Sequence, residues 1–195
     1  MKIIFATHNE GKLIEMKNIL SDFEVIGAKE AGVFEDVVED GLTFAENALK
    51  KARFMVSKTG EAAIADDSGC CIEALDGAPG IYSARWANGA DISDYTLEQI
   101  KDVSVGKRQA WFETAAALVF PDGREFVFDG QMHGEMTTEK RGIPLPKLPY
   151  DNIFIPNGYD KTCAEMGNDE KNKISHRGKA FLDLRAFLLK ELDKS

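Results

Sequence analysis

KIIFATHNEGKLIEMKNIL, residues 2–20, is the stretch on which the fold reading turns. Lys2–Ala6 is a short apolar run, which reads as a buried strand. Thr7–Lys12 is polar and holds Gly11, so it reads as a loop. Leu13, Met16, Ile19 and Leu20 then recur at helical spacing. A strand, a loop and a helix in immediate succession make a βα unit, and Val25–Ile26 begins a second strand.

The same alternation continues outward. Thr43 and Glu46 have capping-box spacing. The helix they open runs through Phe44, Ala48, Ala52, Met55 and Val56, with Gly60 as its stop. Ala62–Ala65 reads as a small buried strand that ends at Asp66-Asp67-Ser68-Gly69, and Cys71–Leu75 follows. Gly77-Ala78-Pro79-Gly80 is a turn before Ile81–Ala87, and Asp94–Ile100 is a moderate helix. Ala110–Val119, Pro121-Asp122-Gly123 and Glu125–Asp129 read as a hairpin, to which Gln131–Met136 adds a further strand. Lys140–Pro149 holds three of the six prolines and is irregular, Ile153–Ile155 is a short apolar segment, and Lys171–Gly178 is polar. The last helix, Lys179–Leu192, sets Phe181, Leu184, Phe187, Leu188 and Leu192 on one face. The expectation is an α/β fold with a mixed sheet, its hairpin region in a second lobe, and residues 1–195 as one two-lobed domain.

With 195 residues the chain can bury a core without disulfides or structural metal. It carries 24 Lys and Arg against 33 Asp and Glu, a formal net charge of −9. That balance excludes extended polyanions, nucleic acid and anionic membrane, as general partners. A small anionic ligand then needs a local cluster of cations, a divalent metal, or both. Three cysteines, two of them adjacent, form neither a disulfide framework nor a zinc spacing. With no run of the length of a membrane span and no signal-peptide pattern, the expectation is a cytoplasmic protein.

Four stretches carry chemistry. Thr7–Lys12 leaves a strand and opens a helix, where backbone N–H groups and the helix dipole favour an anion. It is not a Walker loop, since Leu13 follows Lys12, and an ordinary polar βα connection has the same composition. Asp66-Asp67 at a strand end can ligate a hard cation or accept a proton from water. A solvated, capping turn is the plainer reading. Glu39-Asp40 ahead of a capped helix can complete a metal site or be a solvated acidic loop. Lys171, Ser175, His176 and Arg177, with Lys173 and Lys179, make the densest cationic stretch. Together they suit a metal-assisted site for a phosphate-rich small molecule.

Five stretches resemble, in order, the motifs of the inosine triphosphatase or Ham1-like family, the non-canonical purine nucleoside triphosphate pyrophosphatases. They are Thr7-x-Asn9-x-x-Lys12, the Gly41–Ala52 helix opening, Ala65-Asp66-Asp67-Ser68-Gly69, Gly77–Arg85 and Ser175-His176-Arg177. The resemblance implies a two-lobed α/β fold with the active-site cleft between the lobes, and a cytoplasmic homodimer. It implies Mg2+-dependent hydrolysis of ITP, dITP and XTP to nucleoside monophosphate and pyrophosphate. By position, Asp67 would be the general base, and Glu39 and Asp67 the metal ligands. Thr7, His8, Asn9, Glu10, Gly11 and Lys12 would bind the triphosphate, with Lys51, Ser68 and Lys171 on phosphate or sugar. His176 and Arg177 would read the purine's six-position oxygen.

The family's aromatic-Gly-Tyr-Asp-Pro stretch stands here as Leu148-Pro149-Tyr150-Asp151-Asn152. Leu148 covers a base face without an aromatic surface, and Pro149 lacks an N–H. His8 stands where Gly is commoner. Two other expectations stay open: a pyrophosphatase for other modified nucleotides, and a non-catalytic nucleotide-binding protein.

Overall fold

The computed structural model describes residues 1–145 and 147–192, the side chains of residues 168 and 169 excepted. Pro146, one of the three prolines of the irregular stretch, lies outside the described residues. The elements in chain order are β1 (Lys2–Phe5), α1 (Glu10–Ile19), β2 (Glu24–Gly27), α2 (Phe44–Thr59), β3 (Ala62–Ile72), α3 (Ile92–Gln99), β4 (Gln109–Val119), β5 (Glu125–Met136), β6 (Phe154–Pro156), α4 (Asn168–Ile174) and α5 (His176–Leu192). The sheet is mixed, in the order β2-β1-β3-β4-β5-β6. β1 is parallel to both β2 and β3, and β5 is antiparallel to β6. This is the α/β fold with a mixed sheet that the alternation of patterns implies.

The chain divides into two compact units. The first comprises Met1–Asp67, Thr114–Gly130 and Arg177–Ser195. Its core gathers Ile3, Phe5, Met16, Leu20, Ile64, Leu118, Phe181, Leu184 and Leu188. Phe5 meets Phe181 edge to face at 5.9 Å. Of the apolar face expected on the last helix, Phe181, Leu184 and Leu188 are fully buried, while Leu192, in the terminal turn, is exposed. The second unit comprises Ser68–Glu113 and Gln131–His176. It packs Ile72, Ile100, Phe112, Met136, Tyr150, Ile153 and Phe154, with Phe112 stacked on Phe154 at 4.2 Å.

Local signals set the helix ends. The Thr43 hydroxyl accepts from Glu46 N–H, and Gly60 closes α2 in a left-handed conformation (φ 69°). Glu46 reaches back one residue beyond the expected capping box, accepting from Leu42 N–H at 2.7 Å. The tight turn after β4, with Phe120 N–H on Arg124 C=O, makes the expected hairpin.

Several boundaries differ from the sequence reading. β3 does not stop at Ala65 but runs through Asp66-Asp67-Ser68-Gly69 to Ile72. An extended strand sends successive side chains to opposite faces, so adjacent carboxylates need no turn to part. β5 continues through Gln131–Met136 as one strand. The last helix starts at His176, three residues before Lys179, directly after the short helix α4. All three cysteines are free and buried, and burial pushes the Cys71 and Cys163 thiols up to about 12. Among the described residues, no helix is long and apolar enough to cross a membrane.

Candidate active site

In the first unit the sequence candidates gather on β3 and on α1, α2 and α5. Asp66 is the more buried acid, its side chain 3% exposed. Its Oδ2 accepts from Lys12 Nζ at 2.8 Å and lies 3.4 Å from Arg177 Nε. Arg177 also approaches Glu15 of α1, at 3.8 Å. Burial alone would push the Asp66 carboxyl up. Lys12, Arg177 and Lys51 outweigh it and hold the group well below the usual carboxylate range. Burial lowers the Lys12 ammonium; Asp66 opposes that shift, and Arg177 and Lys51 add to it.

Asp67 points to the other set of partners. Its Oδ2 accepts from Asn47 Nδ2 at 2.9 Å, and Lys51 Nζ stands 3.9 Å from its Oδ1. Lys51 also donates to Glu39 Oε1 at 2.6 Å. Burial raises the Asp67 carboxyl above its ordinary value; Lys51 and Asn47 pull it down, while Glu39 and Asp66 push it further up. A carboxylate made more basic by its surroundings, with a lysine 3.9 Å away, has the character of a general base. Asp40 is paired with Lys50 on the surface. Among the described residues, no three His, Cys, Asp or Glu side chains stand close enough together to hold a metal by themselves.

The Thr7–Lys12 loop is more self-satisfied than its sequence suggests. Asn9 is the N-cap of α1, and its Oδ1 accepts from Gly11 N–H at 3.0 Å and Lys12 N–H at 3.3 Å. Two of the backbone donors expected to face an anion are thus taken by the chain itself. The Thr7 hydroxyl accepts from Asn9 N–H. Thr7, His8, Asn9 and Glu10 line a surface hollow with Leu13, Gly27, Lys29 and Glu30, and His8 approaches Asp36 at 3.5 Å.

The second unit holds the remaining candidates. Tyr150 is buried, and its hydroxyl donates to Ser83 C=O at 2.9 Å. Asp151 is buried and directly paired with the half-buried Lys171. The His176 ring packs on Phe112 at 5.4 Å. Ser68 is half-buried in β3. Leu148 and Pro149 are half-buried, and Pro149 C=O accepts from Ser93 Oγ at 2.6 Å.

Two residues of the first unit received no separate role in the sequence reading. Asp66 was visible beside Asp67, but strand continuity was needed to give it separate partners. Asn47 is 1% exposed and lies one turn before Lys51 on α2. An amide at the edge of an apolar helical face, at i, i+4 from a lysine, was the available signal.

The chain is similar to known proteins over nearly its whole length. Residues 3–187 match the Ham1 family. A dITP/XTP pyrophosphatase of Streptomyces avermitilis is 46% identical over 191 residues, covering 94% of each chain. The Ham1 protein structure from Staphylococcus aureus superposes with a TM-score of 0.89 at 37% identity, covering 98% of this chain and 100% of that one. A structure of a nucleoside-triphosphatase or dITP/XTP pyrophosphatase from Mycobacterium abscessus gives a TM-score of 0.79 at 39% identity, covering 94% and 98%.

Proposed function

Because the chain belongs to the Ham1 family, we propose that it hydrolyses non-canonical purine nucleoside triphosphates, dITP, XTP and ITP, to the monophosphate and pyrophosphate. The observation that carries this reading is Asp67: a half-buried carboxylate of raised basicity, held by Asn47 and faced by Lys51 and Glu39.

The donor set suits a hard divalent cation. Glu39 Oε1 and Asp67 Oδ1 converge on one positive charge, the Lys51 ammonium, at 2.6 and 3.9 Å. Mg2+ typically takes one or two carboxylates and completes its shell with water and substrate phosphate. Glu39 and Asp67 would hold it. When bound, Mg2+ neutralises phosphate oxygens and makes the phosphorus more open to attack.

The chain's own residues supply the rest. Asp67 takes a proton from the attacking water, whose oxygen bonds to the α-phosphorus as the bond to the α–β bridging oxygen breaks and pyrophosphate leaves. Lys12 and Lys51 offset the charge of the chain of phosphates. The Thr7–Lys12 loop, which includes His8, Asn9, Glu10 and Gly11, receives the triphosphate at the start of α1. His176 and the N–H groups that Arg177 does not direct at Asp66 and Glu15 donate to the six-position oxygen of the base. Adenine, with an amino group there, would leave those donors unpaired. Ser68, Tyr150, Asp151 and Lys171, with Leu148 and Pro149, are assigned to sugar, phosphate and base by the same reading.

The proposal includes a cytoplasmic homodimer that has no nucleic-acid or membrane partner, which a net charge of −9 favours. The test is a product analysis with ITP, dITP, XTP, GTP and ATP in the presence of Mg2+. Monophosphate and pyrophosphate from the first three, ahead of GTP and ATP, are expected. Release of orthophosphate and diphosphate instead would refute the reaction. A preference for modified pyrimidine triphosphates would favour the second reading, which the Leu148-Pro149 substitution motivates.

A further inference from the structure

Asn47 lies on the inner side of α2 and touches no surface at which a ligand could meet it, being 1% exposed. Its two side-chain ends are nevertheless both used. Oδ1 accepts from the backbone N–H of Gly41 at 2.8 Å, and Nδ2 donates to Asp67 Oδ2 at 2.9 Å. The direction of this chain of bonds is fixed. A backbone N–H can only donate, so the amide oxygen must face Gly41 and the amide nitrogen must face Asp67.

The approach depends on glycine at position 41. A Cβ there would lie 2.7 Å from Asn47 Oδ1, 2.9 Å from Glu46 Cβ and 3.1 Å from Asn47 N. The neighbouring bonds keep the loop in place: Leu42 N–H on Glu46 Oε2, and Glu46 N–H on the Thr43 hydroxyl. Four residues on, Lys51 approaches the other oxygen of Asp67, at 3.9 Å from Oδ1. Thus one face of α2 addresses the two carboxylate oxygens differently, with a neutral donor on Oδ2 and a cation near Oδ1.

We propose that Asn47 is a positioning residue of the hydrolysis, which links the fixed Gly41 N–H to Asp67 and pins its Oδ2, so that the carboxylate keeps one orientation. This rests on the reading of Asp67 as the base. A hydrogen bond into Oδ2 stabilises charge there and makes that oxygen the poorer acceptor. It also stops the carboxyl from rotating, which matters because a general base must stand within hydrogen-bond reach of the proton it takes.

The experiment compares wild type with Asn47→Leu and Asn47→Asp in steady-state ITP hydrolysis at saturating Mg2+, normalised to folded protein by circular dichroism. Leu keeps most of the volume and removes both hydrogen bonds; Asp keeps the acceptor for Gly41 but cannot donate to an ionised Asp67. Loss of a group that orients a site residue typically costs about 10–100-fold. Both variants should therefore lose about 10–100-fold in kcat, with KM for ITP changed by less than about threefold, since Asn47 touches no substrate. A kcat within threefold of wild type in folded Asn47→Leu would overturn the proposal, and so would a loss confined to KM. One measurement does not depend on the variants folding. In the 15N-labelled wild type, an Asn47 side-chain N–H should be protected from solvent exchange and should shift on Asp67→Asn. A freely exchanging Asn47 amide would overturn the proposal. If wild type itself releases no pyrophosphate from ITP, the functional reading fails instead, and the two failures are distinct.

Discussion

Asp66→Asn removes a charge without changing the shape of the side chain, at the place where that charge has most to offset. The carboxylate is 3% exposed and faces Lys12 at 2.8 Å and Arg177 at 3.4 Å. In the variant two cations remain beside a neutral amide, in a region where Lys12 is already held below its usual basicity by burial. Breaking a buried ion pair from one side costs about 3–5 kcal/mol. A total stability of about 5–15 kcal/mol is usual, so the variant stands near the edge of folding. For a chain of this size each kcal/mol shifts Tm by about 2–4 °C, which gives an expected fall of about 6–20 °C. Thermal and urea unfolding followed by circular dichroism at neutral pH measure it. Lys12→Met in the same chain removes one of the orphaned cations and should recover about 1–3 kcal/mol. The pH dependence follows from the sign of the shift. A carboxyl depressed in the folded state contributes fully above its unfolded pKa of about 4, and that contribution is lost only as pH falls through the folded value. The gap between wild type and variant should therefore be flat from about pH 5 to about pH 8. A loss under about 1 kcal/mol, the worth of an exposed pair, would refute the reasoning, as would a gap that closes within that range.

Asp67→Asn should lower kcat for ITP by about 10²–10⁴-fold while leaving the fold intact. In metal-free buffer it should also stabilise the protein at neutral pH. Burial raises the Asp67 carboxyl, so the ionised form is disfavoured in the folded state; the gain is present above the raised folded pKa and disappears below the unfolded one. Unfolding in EDTA across that range checks the sign. Gly134→Ala should destabilise by about 1–3 kcal/mol or more in urea, because a Cβ there would lie 2.2 Å from Ile155 O and 2.6 Å from Phe154 Cζ, and the β5–β6 pairing cannot give way. Arg53→Ala should change stability by less than about 1 kcal/mol, although Arg53 grips Glu125 at 2.7 and 2.6 Å, because the guanidinium is more than half exposed.

The alternation of strand and helix was legible because each element carries its own local signal. Leu13, Met16 and Leu20 repeat at helical spacing, Thr43 caps and Gly60 stops, and Pro121-Asp122-Gly123 turns the hairpin. The misread boundaries lie where local chemistry and sheet pairing disagree. Asp66-Asp67-Ser68-Gly69 has the composition of a turn, yet the strand continues through it to Ile72, within a sheet in which β3 lies between β1 and β4. His176 and Arg177 look like loop residues by charge, yet they form the first turn of α5. Periodicity cannot see this, because the apolar stripe of that helix begins only at Ala180 and Phe181.

The candidate site was legible as residue types in order, and illegible as a network. Residue patterns and the family resemblance together marked Lys12, Glu39, Lys51, Asp67 and Arg177, but each side chain's partner comes from a distant part of the chain, as Asp66 meets Lys12 and Arg177 from either end. The adjacent acids show why this matters. Read as a pair, Asp66 and Asp67 suggest two equivalent ligands. Alternation along β3 gives them different partners instead, and with those partners opposite shifts. Asp66 is driven below the usual carboxylate range by Lys12 and Arg177, while Asp67 is raised by burial against weaker opposition from Lys51. A proton acceptor must be basic, and a permanent counter-ion must not be. One strand separates those two environments over a single residue step, and it is the environment, not the residue type, that makes Asp67 and not Asp66 the proposed base.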